Sequence, residues 1–189
     1  MSIRTHLLTA VALALAVAGT AHAAGGDLLD RDYRPLAGKE AVNLQHEYAG
    51  KVLLVVNTAS KCGYTPQYEG LEALNQQLSA RGFAVLGFPS NDFKGQEPGS
   101  EAQIQEFCTL TYGVKFPMFE KVHVVGADAT PLYQDLTRLT GVAPGWNFHK
   151  YLVSREGKVV AQFPSKVTPD DPQLRAAIEH ELAAPAAAH

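Results

Sequence analysis

Val52-Leu53-Leu54-Val55-Val56 is an unbroken aliphatic run, the pattern of a strand buried on both faces. The period then changes. Between Pro66 and Ala80, Tyr68, Leu71, Leu74 and Leu78 recur at three- and four-residue steps, which predicts a helix with one apolar stripe, stopped by Gly82. Phe83-Ala84-Val85-Leu86-Gly87-Phe88 predicts a second core strand. A strand, a helical crossover and a strand form a βαβ unit, so the two strands are expected to run parallel. Ser100-Glu101-Ala102-Gln103 reads as a capping box opening a helix to about Tyr112, with Ile104, Phe107 and Cys108 on its inner stripe. A short extended stretch is expected at Val122 to Val125, and a helix from Pro131 to Leu139. Phe148 to Ser154 and Lys158 to Phe163 predict an antiparallel strand pair joined by Arg155-Glu156-Gly157. Asp171 to Leu182 closes the series as an amphipathic helix, with Leu174, Ala177, Ile178 and Leu182 inward. Upstream, Tyr33 to Leu36 and Glu40 to Leu44 predict a small hairpin that turns at Ala37-Gly38.

This order, βαβ, then helix, then ββα, predicts an α/β thioredoxin-like fold: a central mixed β-sheet flanked by helices, with an N-terminal β-hairpin. The ends read differently. Arg4, the apolar run from Leu7 to Gly19 and Ala21-His22-Ala23 have the order of a secretory signal peptide, with cleavage expected after Ala23. Residues 1–23 are therefore expected to be a leader, 24–183 the folded domain and 184–189 a disordered tail, and the mature protein is expected to be exported to the periplasm. Residues 24–30, polar and glycine-containing, are expected to fray.

Composition narrows the function. With 189 residues, 46% hydrophobic and 19% charged, the chain fits one soluble domain with a full core. A net charge of −3 and the lack of a basic run argue against nucleic acid and anionic membranes. The seven histidines show no metal-ligand spacing, and no phosphate-cradling glycine loop is present, so neither a metal nor another cofactor is expected.

The candidate chemistry centres on Cys62. It lies between the first core strand and Thr65-Pro66, where Thr is a candidate N-cap and Pro a first helical residue. The positive end of the helix dipole and the neighbouring Lys61 both favour thiolate at such a place. A thiolate that attacks a peroxide shifts negative charge along the S–O–O axis, so the site needs neutral donors on both sides. Gln96, Trp146 and Asn147 offer amide and indole N–H groups in loops expected at the same sheet edge. Each also has an ordinary reading: a solvated loop glutamine, a core tryptophan, a turn asparagine. Cys108, the only other cysteine, leaves open a single structural disulfide to Cys62 in an oxidising compartment.

Three segments add a resemblance. Asn57-Thr58-Ala59-Ser60-Lys61-Cys62-Gly63, then Gly87-Phe88-Pro89-Ser90-Asn91-Asp92-Phe93 with Gln96-Glu97-Pro98-Gly99, and Trp146-Asn147-Phe148 resemble, in order, the signature segments of glutathione peroxidases. The resemblance implies a thiol peroxidase for hydrogen peroxide and organic hydroperoxides, with Cys62 peroxidatic and Gln96, Trp146 and Asn147 completing the catalytic set. Glu106-Phe107-Cys108-Thr109 resembles the segment that carries the resolving cysteine in the thioredoxin-dependent two-cysteine members. By that likeness Cys108 attacks a Cys62 sulfenic acid, and a thioredoxin-like dithiol or glutathione restores the thiols. Bridging needs the two α-carbons within about 7 Å, so the Ser100–Tyr112 helix is expected to unwind in part. The compact stretch from Pro117 to Trp146 implies a monomer. Ser90 stands where many relatives carry another cysteine, and His149 is expected to face solvent.

Three other readings compete. A thiol–disulfide oxidoreductase is disfavoured because the helix start lacks a C-x-x-C pair, and a peroxiredoxin because Ala59 stands where Thr would be. The non-enzymatic alternative is an exported thioredoxin-fold binding protein stapled by a structural Cys62–Cys108 disulfide.

Overall fold

The computed structural model describes residues 28–184. The expected leader and most of the expected tail lie outside the described residues. The chain runs through β1 (Asp32–Tyr33), β2 (Val42–Asn43), α1 (Leu44–Glu47), β3 (Val52–Thr58), α2 (Gln67–Leu78), β4 (Phe83–Pro89), α3 (Glu101–Tyr112), α4 (Pro131–Thr140), β5 (Lys150–Val153), β6 (Val159–Phe163) and α5 (Pro172–Ala183). The main sheet has the order β4-β3-β5-β6, with β3 and β4 parallel and the other pairs antiparallel. This is the expected mixed sheet, and β3 is buried at every position.

Because side chains alternate across a strand, the β3 run divides between two cores. Val52, Leu54 and Val56 meet α2, α3 and α5 through Tyr68, Leu71, Leu74, Cys108, Leu174 and Ile178. Leu53 and Val55 face the other way, toward Leu132, Tyr133 and Leu136 of α4 and toward Tyr33 and Leu44. Full burial of a large aliphatic side chain contributes about 1.5–3 kcal/mol, so these two layers fix where the sheet ends and its loops fall.

Local chemistry accounts for the helix ends. Ser100 accepts from the Gln103 backbone N–H at 3.3 Å, and the Gln103 side chain accepts from the Ser100 N–H at 2.9 Å, which completes the expected capping box. The Asp171 side chain caps α5 by accepting from the Gln173 N–H.

Several expectations change in detail. The N-terminal hairpin pairs only two residues a side. Pro35 has no N–H to give, and its segment pairs instead with the stretch around Phe119: the Leu36 N–H donates to the Met118 carbonyl and the Glu120 N–H to the Arg34 carbonyl. That stretch also lies along β4 at Gly87, where a Cβ would collide with Met118 Sδ. Val122 to Val125 forms no strand. Leu28 and Leu29 do not fray but sit in the second core. His149 is buried rather than solvent-facing, its ring 4.8 Å from that of Tyr151. It directly precedes β5, an inner strand covered on both faces, so alternation there does not lead to water.

Candidate active site

Beyond Thr58 the chain makes a series of tight turns before α2 begins. The Thr65 hydroxyl accepts from the Cys62 N–H at 3.0 Å and donates to the Ala59 carbonyl at 2.8 Å. Thr65 therefore braces the cysteine loop and does not cap the helix; Pro66 holds the cap position with no side-chain bond. The Tyr64 N–H donates to Cys62 Sγ at 3.3 Å. Cys62 is half-buried, a free thiol one turn ahead of a helix start. A backbone N–H, a donor that does not itself titrate, thus already faces the sulfur.

Gln96 comes from the loop after β4. Lys94 and Gly95 both take left-handed backbone angles, φ 53° and 62°, which turn the chain back sharply. Asn91 Oδ1 accepts from the Glu97 N–H at 2.8 Å, and the Asp92 carboxylate accepts from the Val124 N–H at 2.6 Å. The Gln96 carbonyl then receives the Lys61 N–H at 3.0 Å, tying this loop to the residue beside Cys62. On its other side, Asn147 Nδ2 donates to Gln96 Oε1 at 2.8 Å. With its oxygen so engaged, the Gln96 amide keeps Nε2 as the end free to donate.

Trp146 and Asn147 arrive from the segment ahead of β5. Asn57, in β3, donates from Nδ2 to the Trp146 carbonyl at 3.1 Å, and the Phe148 N–H donates to the Asn57 carbonyl at 2.6 Å. The Trp146 ring packs on Phe93 at 5.5 Å, with Lys94 Nζ 5.7 Å from its centre. Cys62, Gln96, Trp146 and Asn147 therefore belong to one connected edge of the sheet, although Gln96 and Asn147 lie 51 residues apart in sequence. Two shallow depressions flank it. One is lined by Tyr64, Trp146, His149 and Lys166, the other by Lys61, Glu97, Gln103 and Phe107.

Cys108 occupies different surroundings. It is buried on the inner stripe of α3 as a second free thiol, so no Cys62–Cys108 staple holds this fold. Burial pushes its thiol up to about 11. Burial likewise raises the Glu97 carboxyl, which lies beside Ser60.

Three supporting residues escape sequence inspection. Asn57 reads as a strand end, Thr65 as a cap, and Lys150 as a surface cation, yet Lys150 is fully buried in β5. Its only trace in the sequence is parity, since it shares a face with the core residue Leu152. Burial lowers Lys150 to about 7, and burial together with the Lys150 charge lowers His149 to about 4. Among the described residues no group of three His, Cys, Asp or Glu side chains is placed to hold a metal ion, and no helix is long and apolar enough to cross a membrane.

Comparison with known proteins identifies the family. The glutathione peroxidase family model matches residues 29–137, a span containing Cys62, Gln96 and Cys108. The thioredoxin/glutathione peroxidase BtuE of Escherichia coli is 45% identical over 166 residues, covering 75% of this chain and 91% of that one. The hydroperoxy fatty acid reductase gpx1 of Synechocystis sp. is 50% identical over 138 residues, covering 66% and 80%. Among solved structures, Trgpx in its apo form superposes with a TM-score of 0.69 at 34% identity, covering 86% of this chain and 99% of that one. With its thioredoxin-like sheet and this set of relatives, the chain belongs to the glutathione peroxidase family and is a thiol peroxidase.

Proposed function

We propose that Cys62 is the peroxidatic thiol, with Gln96, Trp146 and Asn147 as the neutral donors around it and Cys108 as the resolving cysteine. The Cys62 thiolate attacks one oxygen of the hydroperoxide, the O–O bond breaks, and the departing alkoxide or hydroxide takes a proton to leave as alcohol or water. Cys62 is then a sulfenic acid. Cys108 attacks its sulfur, the sulfenic oxygen leaves as water, and a disulfide forms. A dithiol completes the cycle, ending as a disulfide itself, so each turn consumes one hydroperoxide and two thiol hydrogens.

The observation that carries this reading is the Asn147–Gln96 hydrogen bond of 2.8 Å, because it orients the Gln96 amide on a loop pinned beside Cys62. The burial of Cys108 supports a cycle in which α3 opens in part after Cys62 is oxidised. A thioredoxin-like dithiol is the reductant that fits best, since one such molecule clears the disulfide in two successive exchanges, the second intramolecular, whereas glutathione needs two molecules. The apolar leader at residues 1–23 favours action in the periplasm, and the compact 117–146 segment favours a monomer.

The test is rapid mixing of the reduced protein with one equivalent of hydrogen peroxide or an organic hydroperoxide, counting thiols by mass. Two thiols should disappear quickly, and none in Cys62→Ser. Slow oxidation that is indifferent to Cys62 would falsify the assignment.

A further inference from the structure

Lys150 is the one lysine whose side chain is wholly enclosed, at 0% exposure, and among the described residues no carboxylate pairs with it. Burial of a cation without a counter-ion is costly, and a methionine of similar length would fill the same space without that cost. What the ammonium adds is two hydrogen bonds, one to the Phe148 carbonyl at 2.8 Å and one to the Val167 carbonyl at 2.7 Å.

Both acceptors matter for the site. Phe148 takes φ 65°, a left-handed conformation that a bulky aromatic residue adopts only when its surroundings hold it there. It directly follows Trp146 and Asn147, so the path of this turn sets where those two side chains point. Val167 lies in the connection between β6 and α5, and the same connection is gripped from a second direction. Gln67, the first residue of α2, donates from Nε2 to the Ser165 carbonyl at 2.7 Å. The turn at Ser165–Val167 is thus a shared anchor for the helix that follows Cys62 and for the segment that carries Trp146 and Asn147.

We propose that Lys150 is a positioning residue of the peroxidatic centre, bridging the Phe148 and Val167 carbonyls so that Trp146 and Asn147 are held in fixed register with the Cys62 helix. This deepens the site assigned above and rests on it. Lys150 touches no reacting atom; it acts through the backbone of Phe148.

Lys150→Met keeps the stem and removes both donors. Misplacement of a catalytic group by about 1 Å costs on the order of 10²-fold in rate, so single-turnover oxidation of Cys62 is expected to slow by about that factor. Trp146 is the only tryptophan, so its emission and its quenching by acrylamide report the same segment, and both should rise toward those of a solvated indole. Lys150→Gln retains one short donor and should fall between wild type and Lys150→Met in both readouts. Gln67→Met loosens the other grip and should slow oxidation by a smaller factor. Wild-type oxidation rate and wild-type Trp146 emission in Lys150→Met overturn the proposal. If Lys150→Met does not fold, the same wild-type pair of results in Lys150→Gln overturns it. Cys62→Ser is run alongside: a peroxide reaction that survives there overturns the underlying site, whereas its loss there with an unchanged rate in the Lys150 variants overturns the positioning role alone.

Discussion

Cys62 and Cys108 are the same side chain in opposite surroundings. The first sits half-exposed in a loop, with the Tyr64 N–H on its sulfur and two other loops bonded around it. The second lies in the core on a capped helix, its thiol pushed up to about 11 by burial. Thiolate is the reactive form; burial withholds it at Cys108, while Cys62 opens to solvent. A peroxidase that meets oxidant before it resolves profits from that order, because a resolving thiol exposed from the start would itself be open to oxidation.

The largest effect that tests this contrast is on turnover. In Cys108→Ser the first peroxide event should keep its wild-type rate, while sustained turnover with a dithiol reductant falls to background. Multiple turnovers at the wild-type rate would remove Cys108 from the cycle. Next comes the donor set on the Cys62 side. Gln96→Leu deletes the amide that Asn147 orients and should slow the peroxide step by about 10²–10³-fold, the range seen for loss of one preorganised donor. Its Cys108 thiol should meanwhile resist alkylation as in wild type. An undiminished peroxide step would mean that Gln96 merely packs the loop.

A smaller effect concerns stability near the same edge. His149 is buried with its ordinary value of 6.5 lowered to about 4, by burial first and the Lys150 charge second. As pH falls from 6.5 toward 4, the unfolded chain binds a proton on this ring that the folded chain refuses. Stability therefore drops across that window, by roughly 3 kcal/mol for this group at 1.36 kcal/mol per pH unit. Urea unfolding at stepped pH should show the drop in wild type and a shallower one in His149→Phe. Equal slopes in the two proteins would place the ring in water.

Much of this was legible in the sequence, for physical reasons. β3, β4, α2, α3 and α5 announce themselves through periodicity, and Ser100 and Gln103 through a local capping pattern. Peroxide chemistry suggested neutral donors such as Gln96, Trp146 and Asn147 around Cys62, and the resemblance of three ordered segments to glutathione peroxidases singled them out. What stayed hidden depends on contacts distant in sequence. The short β1–β2 ladder follows from the pairing of the Arg34–Leu36 segment with the Phe119 region, which no local pattern encodes. Thr65 turns back to Ala59 and Cys62 because the loop is tight enough to offer those partners. His149 and Lys150 resemble surface residues until β5 is known to lie between β3 and β6.

The central claim is that α3 keeps Cys108 back until Cys62 has been oxidised, and amide hydrogen exchange along residues 101–112 reads it directly. Exchange should be slow in the reduced protein, and these amides should lose protection selectively after one equivalent of hydroperoxide, in step with disulfide formation and not at all in Cys62→Ser. A disulfide that forms while residues 101–112 keep their full protection would contradict the account.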